Sequence, residues 1–167
     1  AYSTLGYILK DLGKLQDAES YTRKAIELNP NFFQAHLNLG AVLKDLGKLQ
    51  DAELSIRKSI ELNPNLFNSH FLLGSILLGQ KKLQEAEQPL RKTIELNPNF
   101  AEANSNLGVL LRDIGNFKEA KYYFKKALSL DPTNLSYEIN SKLFLSPIHL
   151  NNQNIENERN EYKKQLS

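Results

Sequence analysis

The sequence predicts an all-α fold, a solenoid of antiparallel helix pairs. Three observations carry that expectation. Pro30, Pro64, Pro98 and Pro132 recur every 34 residues, and Gly6, Gly40, Gly74 and Gly108 keep the same step. The stretch Glu-Leu-Asn-Pro-Asn appears at 27–31, 61–65 and 95–99, with Leu130-Asp131-Pro132 in the fourth place. Between these junctions the apolar residues fall at helical spacing. A fixed period of this size is the mark of a repeat array, in which each unit buries its apolar face against its neighbours.

The second copy shows how one repeat is built. Pro64 cannot continue a helix and pushes Asn63 away from the helical region, so the preceding helix ends near Leu62. Asn65, and Asn31 one period earlier, then stand where an N-cap is expected. From Asn31 onward, Ala35, Leu39, Val42, Leu43 and Leu46 lie on one face of a helix. Gly47 breaks it, and Leu49, Ala52, Ile56 and Ile60 form the stripe of a second helix. Applied to every copy, the phase predicts helix pairs over 1–12 and 15–28, 33–46 and 49–62, 67–79 and 83–96, and 101–114 and 117–130. No strand is expected in 1–145.

Glycine inside a helix costs about 1 kcal/mol against alanine, yet Gly6, Gly40, Gly74 and Gly108 each fall inside a first helix. Ala18, Ala52, Ala86 and Ala120 recur at a fixed place in the second helices. Small residues at both places allow close approach, so the glycines are expected to pack against the alanines. The third copy departs from the others. Lys81 stands where the turn glycines Gly13, Gly47 and Gly115 are, and Gly79 lies two residues earlier. Pro89 falls inside the second helix, where a fully interior proline costs about 3 kcal/mol. Either a kink or a helix start displaced toward Pro89 is expected.

After Pro132 the pattern changes. Leu135, Ile139 and Leu143 make an apolar stripe, and Lys142 replaces the mid-helix glycine, so a capping helix is expected over about 134–145 in a segment 133–146. Solenoids need such a cover on the exposed apolar end. Ser146-Pro147 ends it. In the polar tail, 147–167, Ile155, Tyr162 and Leu166 predict one short helix.

Composition excludes several function classes. The net charge is +2 and no run of five like charges occurs, which points away from nucleic acid and anionic membranes. The absence of Cys removes disulfides and thiolate metal sites, and suits the cytoplasm. The longest apolar stretch, Phe71 to Leu78, is far too short to span a bilayer. The chain contains no Met and opens inside a repeat, so it is expected to be a fragment of a larger protein with a further repeat before Ala1. No catalytic constellation, metal site or cofactor motif is present. His36 and His70 occupy equivalent places in adjacent repeats and read as packing residues. Asp11, Asp45 and Asp113 recur by duplication at solvated helix ends.

The run Leu39-Gly40, Leu43, Gly47, Ala52, Ile56 and Pro64 resembles the tetratricopeptide repeat at its 34-residue period. Four copies match, over 1–132, with repeats at 1–32 (partial), 33–66, 67–100 and 101–132. The large aromatic of that family near the start of the first helix is Tyr2, His36, His70 and Asn104 here. The resemblance implies a right-handed superhelix whose first helices line a concave groove for a protein or extended peptide. It implies a non-catalytic scaffold, with possible self-association through exposed repeat ends.

Carried over residue by residue, the family's groove-lining positions include Tyr7 and Lys10 in the first copy and Leu37, Asn38, Ala41 and Lys44 in the second. Phe71, Leu72 and Ser75 come from the third copy, and Asn106, Val109 and Arg112 from the fourth. These are expected on one continuous face. Phe71 and Leu72 would supply apolar contact and the two amides backbone hydrogen bonds. Asn38 and Asn106 each precede a Leu-Gly pair, which is similar to the asparagine ladder of protein O-linked N-acetylglucosamine transferases. Thr4 and Leu72 fill the other two rungs. The tail also resembles the segment that joins repeats to catalytic domain in that family. The alternative function is therefore a substrate-recruiting repeat domain of such a glycosyltransferase, with its catalytic domain beyond residue 167.

Overall fold

The computed structural model describes residues 1–142, 160, 163 and 164. Among them are α1 (Tyr2–Asp11), α2 (Leu15–Leu28), α3 (Phe33–Asp45), α4 (Leu49–Leu62), α5 (Phe67–Gly79), α6 (Leu83–Leu96), α7 (Ala101–Asp113), α8 (Phe117–Leu130) and α9 (Leu135–Lys142). No strand occurs among the described residues. The chain is an all-α helical repeat solenoid, and the helices match the predicted spans to within about one residue wherever those spans are described. Of the short helix expected in the tail, Asn160, Lys163 and Lys164 are helical and exposed. The remainder of that segment, and Leu143, lie outside the described residues.

Two compact units form, Ala1–Pro98 and Asn99–Ser167. In the first, α1 pairs with α2, α3 with α4 and α5 with α6, and each second helix also packs on the next first helix. First helices touch one another more closely than second helices do, which puts α1, α3 and α5 on the inner side of this unit. Its core comes from the predicted stripes: Ala35, Leu39, Val42, Leu43, Ala52 and Ile56 are all buried. In the second unit, α7 pairs with α8, and α9 packs on α8.

The turns inside the pairs share one geometry. Gly47 N–H donates to Lys44 O and Lys48 N–H to Leu43 O, both at 2.9 Å. That double bond is the Schellman closure, and it needs a left-handed residue after the helix. Gly13, Gly47 and Gly115 supply it at φ of +74°, +75° and +85°. In the third copy Lys81 takes the same conformation at φ +60°, with Lys81 N–H bonded to Leu78 O and Lys82 N–H to Leu77 O. Gly79 stays in the helix.

Several expectations are corrected. Asn31 and Asn65 are not N-caps. The cap residues are Phe32 and Leu66, with no side-chain bond. The asparagine before the proline does the polar work instead: Asn29 Oδ1 accepts from Asn31 N–H at 3.2 Å, and Asn63 Oδ1 from Asn65 N–H at 3.3 Å. These are side-chain turns that reverse the chain without entering a helix. Pro89 does not shift the start of α6, which begins at Leu83 in register with α4. Pro89 is buried within the helix, and its carbonyl accepts from Thr93 Oγ1 at 2.8 Å.

The glycines do not meet the alanines' side chains. Gly40 faces Ile56, Gly74 faces Leu90 and Gly108 faces Phe124, each four residues beyond the alanine, while Gly6 meets Thr22 and the carbonyl of Ala18. The apolar stripe of α9 is likewise not its buried face. Leu135 is 66% exposed and Ile139 44%, while Ser141 is buried. Ser141 stands 34 residues after the buried Leu107, so α9 continues the phase of the repeat rather than its own hydrophobic pattern.

Candidate peptide-binding face

In the unit Ala1–Pro98 the expected face is carried by α1, α3 and α5. Tyr7 is exposed on α1. The Lys10 ammonium lies 5.8 Å from the Tyr7 ring centre, 3.1 Å from Asp11 and 3.8 Å from Asp45. The hydrogen bond from Asp11, with the charge of Asp45 behind it, holds Lys10 above the ordinary lysine range despite partial burial. Lys10 is therefore a fixed cation on the first-helix side. On α3, Ala41 and Lys44 are half-buried.

Leu37 and Asn38 lie deeper. Both are 8% exposed. Asn38 Nδ2 donates to Ser3 O at 3.2 Å and to Ser3 Oγ at 3.0 Å, while Asn38 Oδ1 accepts from Gln34 at 3.1 Å. The amide is used between α1 and α3, which places it in the wall of the face. In this arrangement it holds two helices together instead of presenting a rung to a substrate backbone.

The apolar part sits on α5. Leu73, Ile76 and Leu77 face the core, and Phe71, Leu72, Ser75 and Leu78 are half-buried. A helix apolar around most of its circumference is normally covered on every side. In the unit Asn99–Ser167, α7 carries Asn106, Val109 and Arg112, all half-buried. Arg112 pairs with Asp113 at 2.9 Å.

The positions of the missing family aromatic have a structural role. Nε2 of His36 lies 2.8 Å from Pro30 O, and Nε2 of His70 lies 2.8 Å from Pro64 O, so each ring N–H donates to a junction carbonyl. Asn104 Nδ2 bonds Phe100 O at 2.9 Å. No group able to hold a metal ion occurs among the described residues.

Sequence reasoning missed the ion-pair ladder between second helices. Glu19 takes Lys48 at 2.7 Å and Arg23 at 2.8 Å, and Glu53 takes Lys82 at 2.9 Å and Arg57 at 2.8 Å. The hydrogen bond from Lys48 leads in lowering the Glu19 carboxyl, against burial. Burial pushes Glu53 up, but the bonds from Lys82 and Arg57 outweigh it and leave that carboxyl low. The signal was available in the recurrence of Glu19 and Lys48 at the repeat period. Also missed was a shallow groove of about 410 Å³ on the second-helix side, where Ile26, Leu39 and Leu54 sit among Arg23, His36 and Lys58.

Comparison with known proteins agrees with this architecture. The tetratricopeptide repeat model matches residues 1–32 and 101–134, and a second tetratricopeptide repeat model matches 21–53 and 56–88. No curated protein matches the chain significantly by sequence. Among solved structures, MamA from Desulfovibrio magneticus RS-1 superposes with a TM-score of 0.82 at 21% identity, covering 99% of this chain and 87% of that one. PilF from Pseudomonas aeruginosa gives 0.83 at 25% identity, over 98% of this chain and 71% of its own. YrrB, a repeat protein with an unusual peptide-binding site, gives 0.79 at 21% identity, over 99% and 81%. No helix among the described residues is long and apolar enough to cross a membrane. With matches in all four copies, the chain belongs to the tetratricopeptide repeat family.

Proposed function

We propose that the chain is a non-catalytic protein-interaction scaffold, and that an extended peptide lies along the first-helix side of the unit Ala1–Pro98. Ala41, Lys44, Phe71, Leu72 and Ser75 are its contact residues, with Tyr7 and Lys10 at the α1 end. The observation that carries this reading is α5, whose core side is filled by Leu73, Ile76 and Leu77 while Phe71, Leu72 and Leu78 remain partly open. Completing their burial favours a ligand by about 25 cal/mol per Å² of apolar surface. Lys44 and Lys10 add cations beside the apolar strip, which suits a peptide with both apolar and acidic side chains. The peptide-binding site of YrrB, a protein of similar fold, supports the same class of ligand. Leu37 and Asn38 act by shaping the wall. The corresponding face of α7, with Asn106, Val109 and Arg112, is proposed as a contact of its own unit.

The test is a peptide-array screen of the full chain, followed by titration of the best ligand against Phe71→Ala/Leu72→Ala. The double variant is expected to bind about ten-fold more weakly or worse, while keeping its helical circular dichroism. Equal affinity would rule out the α5 face. Asn38→Ala separates the two views of the amide. It is expected to lower thermal stability more than it changes affinity.

A further inference from the structure

We propose that α8 carries a second docking surface, independent of the first-helix faces, which takes an acidic segment of a partner protein. The argument starts from the other second helices. In α2, Arg23 pairs with Glu19 at 2.8 Å and Lys24 with Glu27 at 2.9 Å. In α4, Arg57 pairs with Glu53 at 2.8 Å and Lys58 with Glu61 at 2.7 Å. In α6, Arg91 pairs with Glu87 at 2.8 Å and Lys92 with Glu95 at 2.6 Å. Each adjacent pair of cations is met by one acid four residues before and another three residues after.

In α8 the cations remain and those acids are gone. Lys125 and Lys126 keep the register of Arg91 and Lys92, but Lys121 replaces Glu87 and Ser129 replaces Glu95. Lys118 adds a charge where the other three helices have Gln16, Gln50 and Gln84. Lys118, Lys125 and Lys126 have no acidic partner among the described residues. Glu119, the one acid of α8, is bonded to Asn116 at 2.8 Å. Tyr122 stands among the lysines, 60% exposed, its ring edge-on to Tyr123 at 5.1 Å.

Like charges a helical turn apart oppose folding, and the other three repeats show the neutral alternative that this fold accepts. The size of the patch selects its partner. Lys118 to Lys125 spans about 10 Å at a rise of about 1.5 Å per residue. A specific nucleic-acid contact neutralises about 6–10 phosphates, more than this stripe offers in a chain of net charge +2. An extended run of Glu or Asp places about three residues over the same 10 Å. Its carboxylates meet the lysines while its side-chain stems lie on Tyr122.

The probe is a labelled oligo-glutamate peptide, with oligo-glutamine as the neutral control, followed by fluorescence anisotropy on the full chain. The glutamate peptide is expected to bind, and to weaken as salt is raised. Lys121→Glu/Ser129→Glu restores the residues the other second helices carry, so it is expected to fold and to lose about ten-fold or more in affinity. Lys125→Gln is expected to lose about three-fold. Phe71→Ala/Leu72→Ala should leave oligo-glutamate binding unchanged, which separates this surface from the α5 face. Unchanged affinity in the restored variant would overturn the proposal. So would tighter binding of a single-stranded oligonucleotide of equal charge, which would assign the surface to nucleic acid.

Discussion

A Cβ placed on Gly40 would lie 2.5 Å from Cγ1 of Ile56 and closer still to Cδ1, inside the volume that the isoleucine already fills. Ile56 is fully buried, so it has no solvent side to swing into. The glycine is thus the socket for a large side chain of the paired helix. Gly74 repeats this with Leu90 at 2.7 Å and Gly108 with Phe124 at 2.8 Å. Gly40→Ala is expected to cost about 1–3 kcal/mol by overpacking. Combined with Ile56→Val the total should be less than additive. Urea denaturation of the single and double variants measures this; strictly additive losses would deny the contact. Gly47→Ala is the control for backbone effects, because nothing lies within 4 Å of a Cβ there and only its φ of +75° opposes the change.

Lys81 holds a left-handed backbone conformation that its three counterparts leave to glycine. That conformation costs an ordinary residue roughly 1–2 kcal/mol, part of which glycine gives back through its greater freedom in the unfolded chain. Lys81→Gly is therefore expected to stabilise the protein by about 0.5–1 kcal/mol. A thermal melt that falls or stays put contradicts the reading.

Two local violations, Lys81 and Pro89, meet in the third repeat. Pro89 removes one backbone donor from α6. Amide hydrogen exchange is expected to be faster over 80–90 than over 46–56 and 114–124, since a repeat array opens first at its least stable unit. Equal protection in the three segments would show that the packing around Pro89 offsets both costs.

Glu19 and Glu53 bridge neighbouring repeats, and their side chains are only 15% and 13% exposed. Both carboxyls are held below the ordinary glutamate value of 4.5. The folded chain therefore binds these protons less readily than the unfolded one. The contribution is fully present above that value and is lost as pH falls through the lower folded values. Glu53→Gln is expected to cost about 1 kcal/mol or less at neutral pH. The gap from the parent protein should close below about pH 4. A gap of constant size down to low pH would assign the effect to packing.

The period of 34 residues, the Pro and Gly punctuation and the apolar stripes determined the helix pairs, because each is a local property that any chain with this pattern must satisfy. They determined the family for the same reason. Partners were a different matter. The side chain that fills the space beside Gly40 is Ile56 and not Ala52, since the crossing of two helices sets which turn faces which. Asn38 reads as a free amide in sequence, and only the stacking of α3 on α1 brings it to Ser3, 35 residues away. The hydrophobic residues of α9 point outward because the phase of the repeat, continued to Ser141, positions the helix more strongly than two leucine-sized side chains do. Even the cationic face of α8 is written in the sequence as single substitutions, Lys121 and Ser129. It became legible once the ion pairs of α2, α4 and α6 showed what those two positions hold elsewhere, since a charge matters only through the groups within a few ångströms of it.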